Sequence, residues 1–110
     1  MKDIKVGDIL QGMWHYSMHY PVWFKVVKVT EKQAQAVRLM SKMVRATDGG
    51  YGQQGYEVPD ESRTMGEDWY SHKTKHIIRE GKYGLCTGSK YDYFRLNKWD
   101  GQQIWADHMD

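Results

Sequence analysis

The sequence predicts an all-β fold, a small barrel of about five strands that forms a single domain, residues 1–110. Short runs of alternating or β-branched residues recur along the chain, and turns rich in Gly and Asp separate them. A chain of 110 residues fits one domain and buries roughly two-thirds of its unfolded surface. Aliphatic residues are few, but eight Tyr, five Trp and two Phe supply rings that can fill a core.

The first hairpin is the clearest element of this prediction. Val6, Gly7 and Asp8 form a turn signal that leads into a strand at residues 9–14. A second strand at residues 22–29 is rich in Val, Trp and Phe, which favour the pleated, half-buried surface of a sheet. The two strands make a hairpin with a long aromatic loop.

Residues 31–45 are compatible with a strand or a helix. Strong helix formers fill the segment, and Thr30 with Gln33 has the spacing of a helix-capping box. Val37 and Leu39, however, alternate with their neighbours at the strand period, and a short polar turn precedes them. The strand is favoured, and a continuous helix here would give an α+β fold instead.

The middle of the chain predicts a long Gly-rich and acidic loop insertion at about residues 47–70. Four glycines among residues 48–55 cost too much backbone entropy for a regular element, and no Lys-Ser/Thr completes a phosphate-binding loop. A short edge strand at residues 56–59 ends at Pro59, and the acidic residues 60–70 form a second loop.

Strand patterns return after the insertion. Residues 76–79 and 83–87 predict a second hairpin, residues 91–96 a further strand, and residues 104–105 a last short element. The residues expected to be largely buried lie in the predicted strands and are Ile9, Trp14, Val27, Val29, Val37, Leu39, Ile77 and Leu85. Replacing one of these aliphatic side chains, such as Leu39, by Ala is expected to cost about 2–4 kcal/mol.

Four stretches resemble one group of known proteins. They are V-G-D-I-L at residues 6–10, W-x-Y at 14–16, F-x-V-V-K-V-T at 24–30, and Tyr91 leading to K-W-D-G at 98–101. These motifs resemble small uncharacterised proteins carried by bacteriophages and other mobile elements. The resemblance implies a bacterial or phage cytosolic protein whose third segment is a strand, and it implies no catalytic residues. The V-G-D turn before a strand is also similar to SH3-like and KOW-type domains, so the expected barrel is SH3-like.

Common signatures of catalysis are missing from the sequence. The chain lacks G-x-S-x-G, H-E-x-x-H and C-x-x-C. Its single cysteine, Cys86, lies in a predicted strand, where a small buried side chain is expected. We therefore expect neither an enzyme nor a cofactor.

The histidines have a spacing that would suit zinc on a helix. His15 and His19 are four residues apart, as are His72 and His76. In an extended chain such pairs lie about 13 Å apart, too far to share one ion. We therefore expect surface histidines and no metal site.

The chain shows no targeting or membrane segment. One cysteine cannot form an intramolecular disulfide, the N-terminus lacks the apolar segment of a signal peptide, and no apolar run reaches bilayer length. These features predict a cytoplasmic protein with no membrane partner, and the resemblance implies that the cell is a bacterial host.

The net charge of +2 is unevenly distributed. Residues 1–47 carry eight Lys/Arg and three Asp/Glu, residues 48–70 carry one and six, and residues 71–110 carry seven and five. An acidic segment therefore interrupts a basic scaffold, whose lysines could meet phosphates.

The rings exceed what the core of a small barrel can hold, so some are expected on the surface. Trp14 and Trp23 are expected to fill the barrel or cap its end, whereas Tyr16, His19 and Tyr20 are expected to be exposed. Exposed rings beside lysines are the combination used by barrels that bind single strands. The predicted contact face consists of Tyr16, Tyr20, Lys25, Lys28, Lys90 and Tyr91. Its ligand is expected to be nucleic acid; the alternative is a host protein bound by a phage-encoded inhibitor or adaptor.

Overall fold

The computed structural model describes residues 3–65, 75–82, 84–87 and 94–109, and the regular elements in these ranges are all β-strands. The all-β prediction is therefore confirmed. The strands are β1 (Ile9–Trp14), β2 (Tyr20–Val29), β3 (Ala34–Ala46), β4 (Gln54–Thr64), β5 (His76–Gly81), β6 (Gly84–Thr87), β7 (Phe94–Lys98) and β8 (Ile104–Asp107).

Six of these strands close a barrel. The order β2-β1-β7-β6-β5-β3 returns to β2 because β3 also pairs with β2, and the closed arrangement is consistent with a small SH3-like barrel. The remaining strands extend it: β4 pairs with residues 39–46 of β3, and β8 pairs with β4. We call residues 40–46 of β3, together with β4 and β8, the lobe.

The segment that could have been a helix is a strand, because Thr30 and Gln33 form a turn. The Thr30 N–H and hydroxyl both donate to the Gln33 carbonyl, at 2.8 and 2.9 Å, and the Gln33 N–H lies 3.2 Å from the Thr30 hydroxyl oxygen. These bonds close the β2–β3 hairpin, and the same Thr30–Gln33 spacing that resembles a capping box serves a tight turn.

β4 is longer than the edge strand predicted at residues 56–59. It runs from Gln54 to Thr64 and includes acidic residues of the predicted loop, among them Glu61, whose side chain is exposed. An acidic composition is compatible with a strand whose charged side chains face solvent. Residues 66–70 of the predicted loop lie outside the described residues.

The Gly-rich loop at residues 48–53 is closed by one carboxylate. Desolvation raises the pKa of Asp48, but backbone N–H groups of Gln53, Gln54 and Gly52 donate to its carboxylate and together hold the pKa below its ordinary value of 3.8. Gly49 has a φ of 74°, in the left-handed region that favours glycine.

Ten buried hydrophobic residues of the described ranges form one cluster that fills the barrel. They are Ile4, Leu10, Val22, Phe24, Val26, Ala34, Ala36, Ile78, Phe94 and Leu96. Trp23, Leu39 and Ala106 are also buried, outside this cluster. The Trp23 indole meets Trp99 edge-on at 5.5 Å and donates to the Ser41 hydroxyl oxygen at 2.5 Å. Trp23 and Leu39 are paired in register across β2 and β3, where the barrel meets the lobe.

The predicted core is right for Leu39 and wrong for Val27 and Ile77. Leu39 is 2% exposed, whereas Val27 is 39% and Ile77 is 41% exposed. In both strands the neighbouring residue, Val26 or Ile78, occupies the interior. A one-residue error in register moves a side chain to the other face of a sheet, and β2 has a bulge between Val26 and Lys28. The other predicted core residues are half-buried, namely Ile9, Trp14, Val29, Val37 and Leu85.

Two adjacent valines test this register. Replacing Val26 by Ala is expected to lower the free energy of unfolding by about 2 kcal/mol, because a fully buried side chain loses two carbons and leaves a cavity. Val27→Ala is the matched control, expected to change it by less than about 0.5 kcal/mol because the side chain faces solvent. Urea unfolding measures both, and equal losses would contradict the register.

Candidate functional site

A row of side chains crosses the outer face of the lobe. Arg45 of β3 is paired in register with Tyr56 of β4, and Tyr56 is paired with Trp105 of β8. Side chains paired in this way share one face of a sheet. The Arg45 guanidinium carbon lies 4.4 Å from the centroid of the Tyr56 ring. The next residue in β8, Ala106, is buried, so this row faces away from the interior.

Two histidines continue the row beyond β8. The His19 ring lies 6.3 Å from the Trp105 ring, and the His15 ring lies 4.8 Å from that of His19, as measured between centroids. Backbone hydrogen bonds tie His19 to Asp107 in both directions, at 2.9 and 2.6 Å. We call Arg45, Tyr56, Trp105, His19 and His15 the ring platform. Trp105 is 40% exposed.

The two histidines are closer than an extended chain would place them. Ser17, between them, has a φ of 57°, and the resulting bend brings the two Nδ1 atoms to 3.0 Å. In a hydrogen bond between them, one Nδ1 carries the hydrogen and donates, and the other carries none and accepts. The expectation of an extended chain between His15 and His19 is therefore wrong. Among the described residues, no three His, Cys, Asp or Glu side chains are grouped to hold a metal ion.

The predicted tyrosines occupy different environments. Tyr16 is 80% exposed and follows His15 of the ring platform directly. Tyr20, predicted to be an exposed loop residue, instead begins β2 and is half-buried. Its ring stacks on Trp14 at 6.1 Å and on His108 at 5.0 Å. Tyr20 is therefore in contact with two other rings, and it packs with Trp14 against the core of the barrel.

The predicted lysines are not gathered beside these rings. Lys25 lies 3.5 Å from the Glu61 carboxylate, which offsets its charge. Lys28 is exposed eight residues along β2 from Tyr20, a distance of about 26 Å in an extended strand. Lys90 and Tyr91 lie outside the described residues.

Strand β3 contributes two cationic side chains to this face of the lobe. Arg45 is part of the ring platform, and Lys42 is paired with Val58, which shares the face of Tyr56 two residues away. Both side chains are exposed. The sequence analysis did not identify Lys42 and Arg45 as site residues, because they lie in residues 31–45, whose pattern is compatible with either a strand or a helix. Strand alternation alone would not have placed them together, because residues 42 and 45 share a face only through the register shift between Met43 and Arg45.

A cavity of about 250 Å³ opens on the other face of the lobe, against the barrel. Its lining residues are Tyr20, Pro21, Val22, Arg38, Leu39, Met40, Ser41, Glu57, Met65 and His108. Glu57 is 4% exposed, and one of its carboxylate oxygens, Oε2, lies 2.5 Å from Nε2 of His108. The other, Oε1, is buried and has no hydrogen-bond partner among the described residues.

Comparisons with known proteins do not assign this chain to a family. No protein-family model, curated protein or solved structure matches it. Within the described residues, no helix has the length and hydropathy needed to cross a membrane. The case for a function therefore depends on the ring platform and the cavity.

Proposed function

We propose that this chain is a non-enzymatic binding protein that holds single-stranded nucleic acid on the ring platform. The observation that carries the proposal is the continuous row from Arg45 to His15, in which neighbouring side chains are in register or within 6.3 Å. The setting is a bacterial or phage cytosol, as the sequence resemblance implies.

Stacking supplies the main attraction in this proposal. Each base stacked on an aromatic side chain contributes about 1–3 kcal/mol, and every base has a face that can stack. Trp105 presents the largest exposed ring of the row, and Tyr56 and His19 lie on either side of it. A strand following the row could place successive bases on these rings with little dependence on sequence.

Phosphate contacts are expected from Lys42 and Arg45. Two phosphates neutralised on a single strand give a slope of log affinity against log salt of about −1.4. This modest slope fits a chain whose net charge is only +2. A fully electrostatic binder would show a much steeper one.

Titration of labelled single-stranded DNA and RNA tests the proposal. We expect saturable binding at low salt, weakening with the shallow slope given above. Arg45→Ala should weaken binding and flatten the slope, because it removes a platform cation. Lys28→Ala, which removes an exposed cation at the far end of β2, is the matched control and should leave the affinity nearly unchanged.

Absence of binding at low salt would refute the proposal. The remaining hypothesis would be a protein partner, in which the chain is a phage-encoded inhibitor or adaptor acting on a host protein. Trp, Tyr and Arg are the residue types that dominate protein interfaces, and binding through them depends little on salt. Retention of a host protein after nuclease treatment, lost in Trp105→Ala, would favour that hypothesis.

A further inference from the structure

One oxygen of the buried Glu57 carboxylate accepts no hydrogen bond from any of the residues that the structure describes. Burying a polar atom without a hydrogen bond is costly, and nearly all buried polar atoms in proteins are paired. Oε1 has no partner among the described residues, although Glu57 lines a cavity. A group that donates to Oε1 from within the cavity would remove this cost.

Neighbouring contacts hold the carboxylate in place. His108 bonds to Oε2, and its ring stacks on Tyr20 with an angle of 18° between the planes. Tyr20 in turn stacks on Trp14. Because this chain of contacts fixes the position of the Oε2 side, Oε1 is presented as a positioned acceptor.

A hydroxyl group borders the same cavity. The Ser41 oxygen accepts from the Trp23 indole, which leaves the Ser41 hydrogen to donate elsewhere. Ser41 is paired with Pro59, two residues beyond Glu57 in β4. Ser41 and Glu57 are therefore diagonal neighbours on one face of the sheet, about 7–8 Å apart. An acceptor and a donor are placed at a spacing that one small ring system can bridge.

We propose that the cavity binds one small heterocycle of the nucleobase class, with an N–H group donating to Glu57 Oε1 and an adjacent acceptor facing Ser41. The cavity, at about 250 Å³, falls just below the roughly 300–1,000 Å³ of sites for drug-sized ligands, which suits a single ring system. A neutral ligand is favoured over a cation because Arg38 also lines the cavity and His108 already faces the carboxylate.

This site is separate from the ring platform. Glu57 faces the cavity, whereas Tyr56, the preceding residue, faces the platform on the opposite side of β4. The proposal therefore does not depend on strand binding. Its ligand is either a free nucleoside or one unstacked base of a bound strand.

The test is an NMR titration of the full chain with adenosine, cytidine, guanosine and uridine, each added separately. At least one is expected to bind saturably and to shift the signals of Glu57 and His108. The N–H-blocked analogues 3-methyluridine and N4,N4-dimethylcytidine should lose the affinity of their parents. No binding by any of the four nucleosides, or equal binding by the blocked analogues, would overturn the proposal.

Glu57→Met separates binding from folding. It removes the acceptor while keeping a side chain of similar size, and His108, whose side chain is 34% exposed, can turn to water. We expect nucleoside affinity to fall by about 10- to 100-fold, the loss for a bond to a charged acceptor, with no fall in Tm. A variant that loses stability but binds like the native chain would assign Glu57 a structural role only.

Trp105→Ala is the matched control for the cavity. It should leave nucleoside affinity unchanged while weakening the oligonucleotide, so failure of one proposal is distinguishable from failure of the other. Competition between an oligonucleotide and the bound nucleoside would identify a strand base as the ligand. Independent binding of the two would identify a free nucleoside.

Discussion

Replacing Trp105 by alanine is expected to weaken the binding of a single-stranded oligonucleotide by about 10- to 100-fold, the range expected for loss of one stacked ring. Trp105 stands in the middle of the ring platform, between Tyr56 and His19. Its removal therefore interrupts the row as well as deleting one stacking surface. Fluorescence anisotropy of a labelled oligonucleotide at low salt measures the change.

Tyr51→Ala is the matched control for this variant. Tyr51 is 86% exposed in the Gly-rich loop and makes no ring contact within the described segments. Its loss should leave the affinity close to that of the native chain. Equal losses for Trp105→Ala and Tyr51→Ala would show that binding does not use the ring platform. Far-UV circular dichroism confirms that both variants fold.

The strands were predictable because their signals are local. Alternation along residues 34–39 and the turn at Thr30 and Gln33 depend on neighbours in sequence, and β3 forms where they indicate. The register of β2 was not predictable to the residue, because the bulge after Val26 follows from its pairing with β3. Val26 and Val27 are adjacent and equally apolar, so the sequence offers no local signal for which of the two side chains faces inward.

The sequence predicted that some aromatic side chains would be exposed, but it did not predict which residues form the ring platform. The excess of Tyr and Trp over core volume correctly indicated exposed rings, and Tyr16 and Trp105 are exposed. Arg45, Tyr56 and Trp105, however, come together through pairing between β3, β4 and β8, and their positions in the sequence are too far apart for any local pattern to connect them. Glu57 and His108 are 51 residues apart, and neither stands in a recognisable motif.

Replacing Gly55 by alanine is expected to cost about 3 kcal/mol or more, at the upper end of the range for overpacking. A Cβ there would press on the Arg45 carbonyl oxygen and lie 2.8 Å from both the Ala46 Cα and the Met43 Sδ. Two of these neighbours are backbone atoms, so no rotation of a side chain relieves the clash. On the other side, Gly55 is paired with Ala106, which is fully buried.

The damage should be greatest in the lobe, because β4 is not one of the six strands that close the barrel. Amide hydrogen exchange should accelerate in β4 and β8 more than in β1 and β7, and oligonucleotide and nucleoside binding should both be lost. Gly81→Ala is the matched control, since among the described residues a Cβ there would meet the Cys86 sulfur, at 3.2 Å, and the Gly84 carbonyl oxygen, at 3.7 Å, and nothing closer. If urea unfolding gave Gly55→Ala the stability of Gly81→Ala, the close packing of β4 between β3 and β8 would be contradicted.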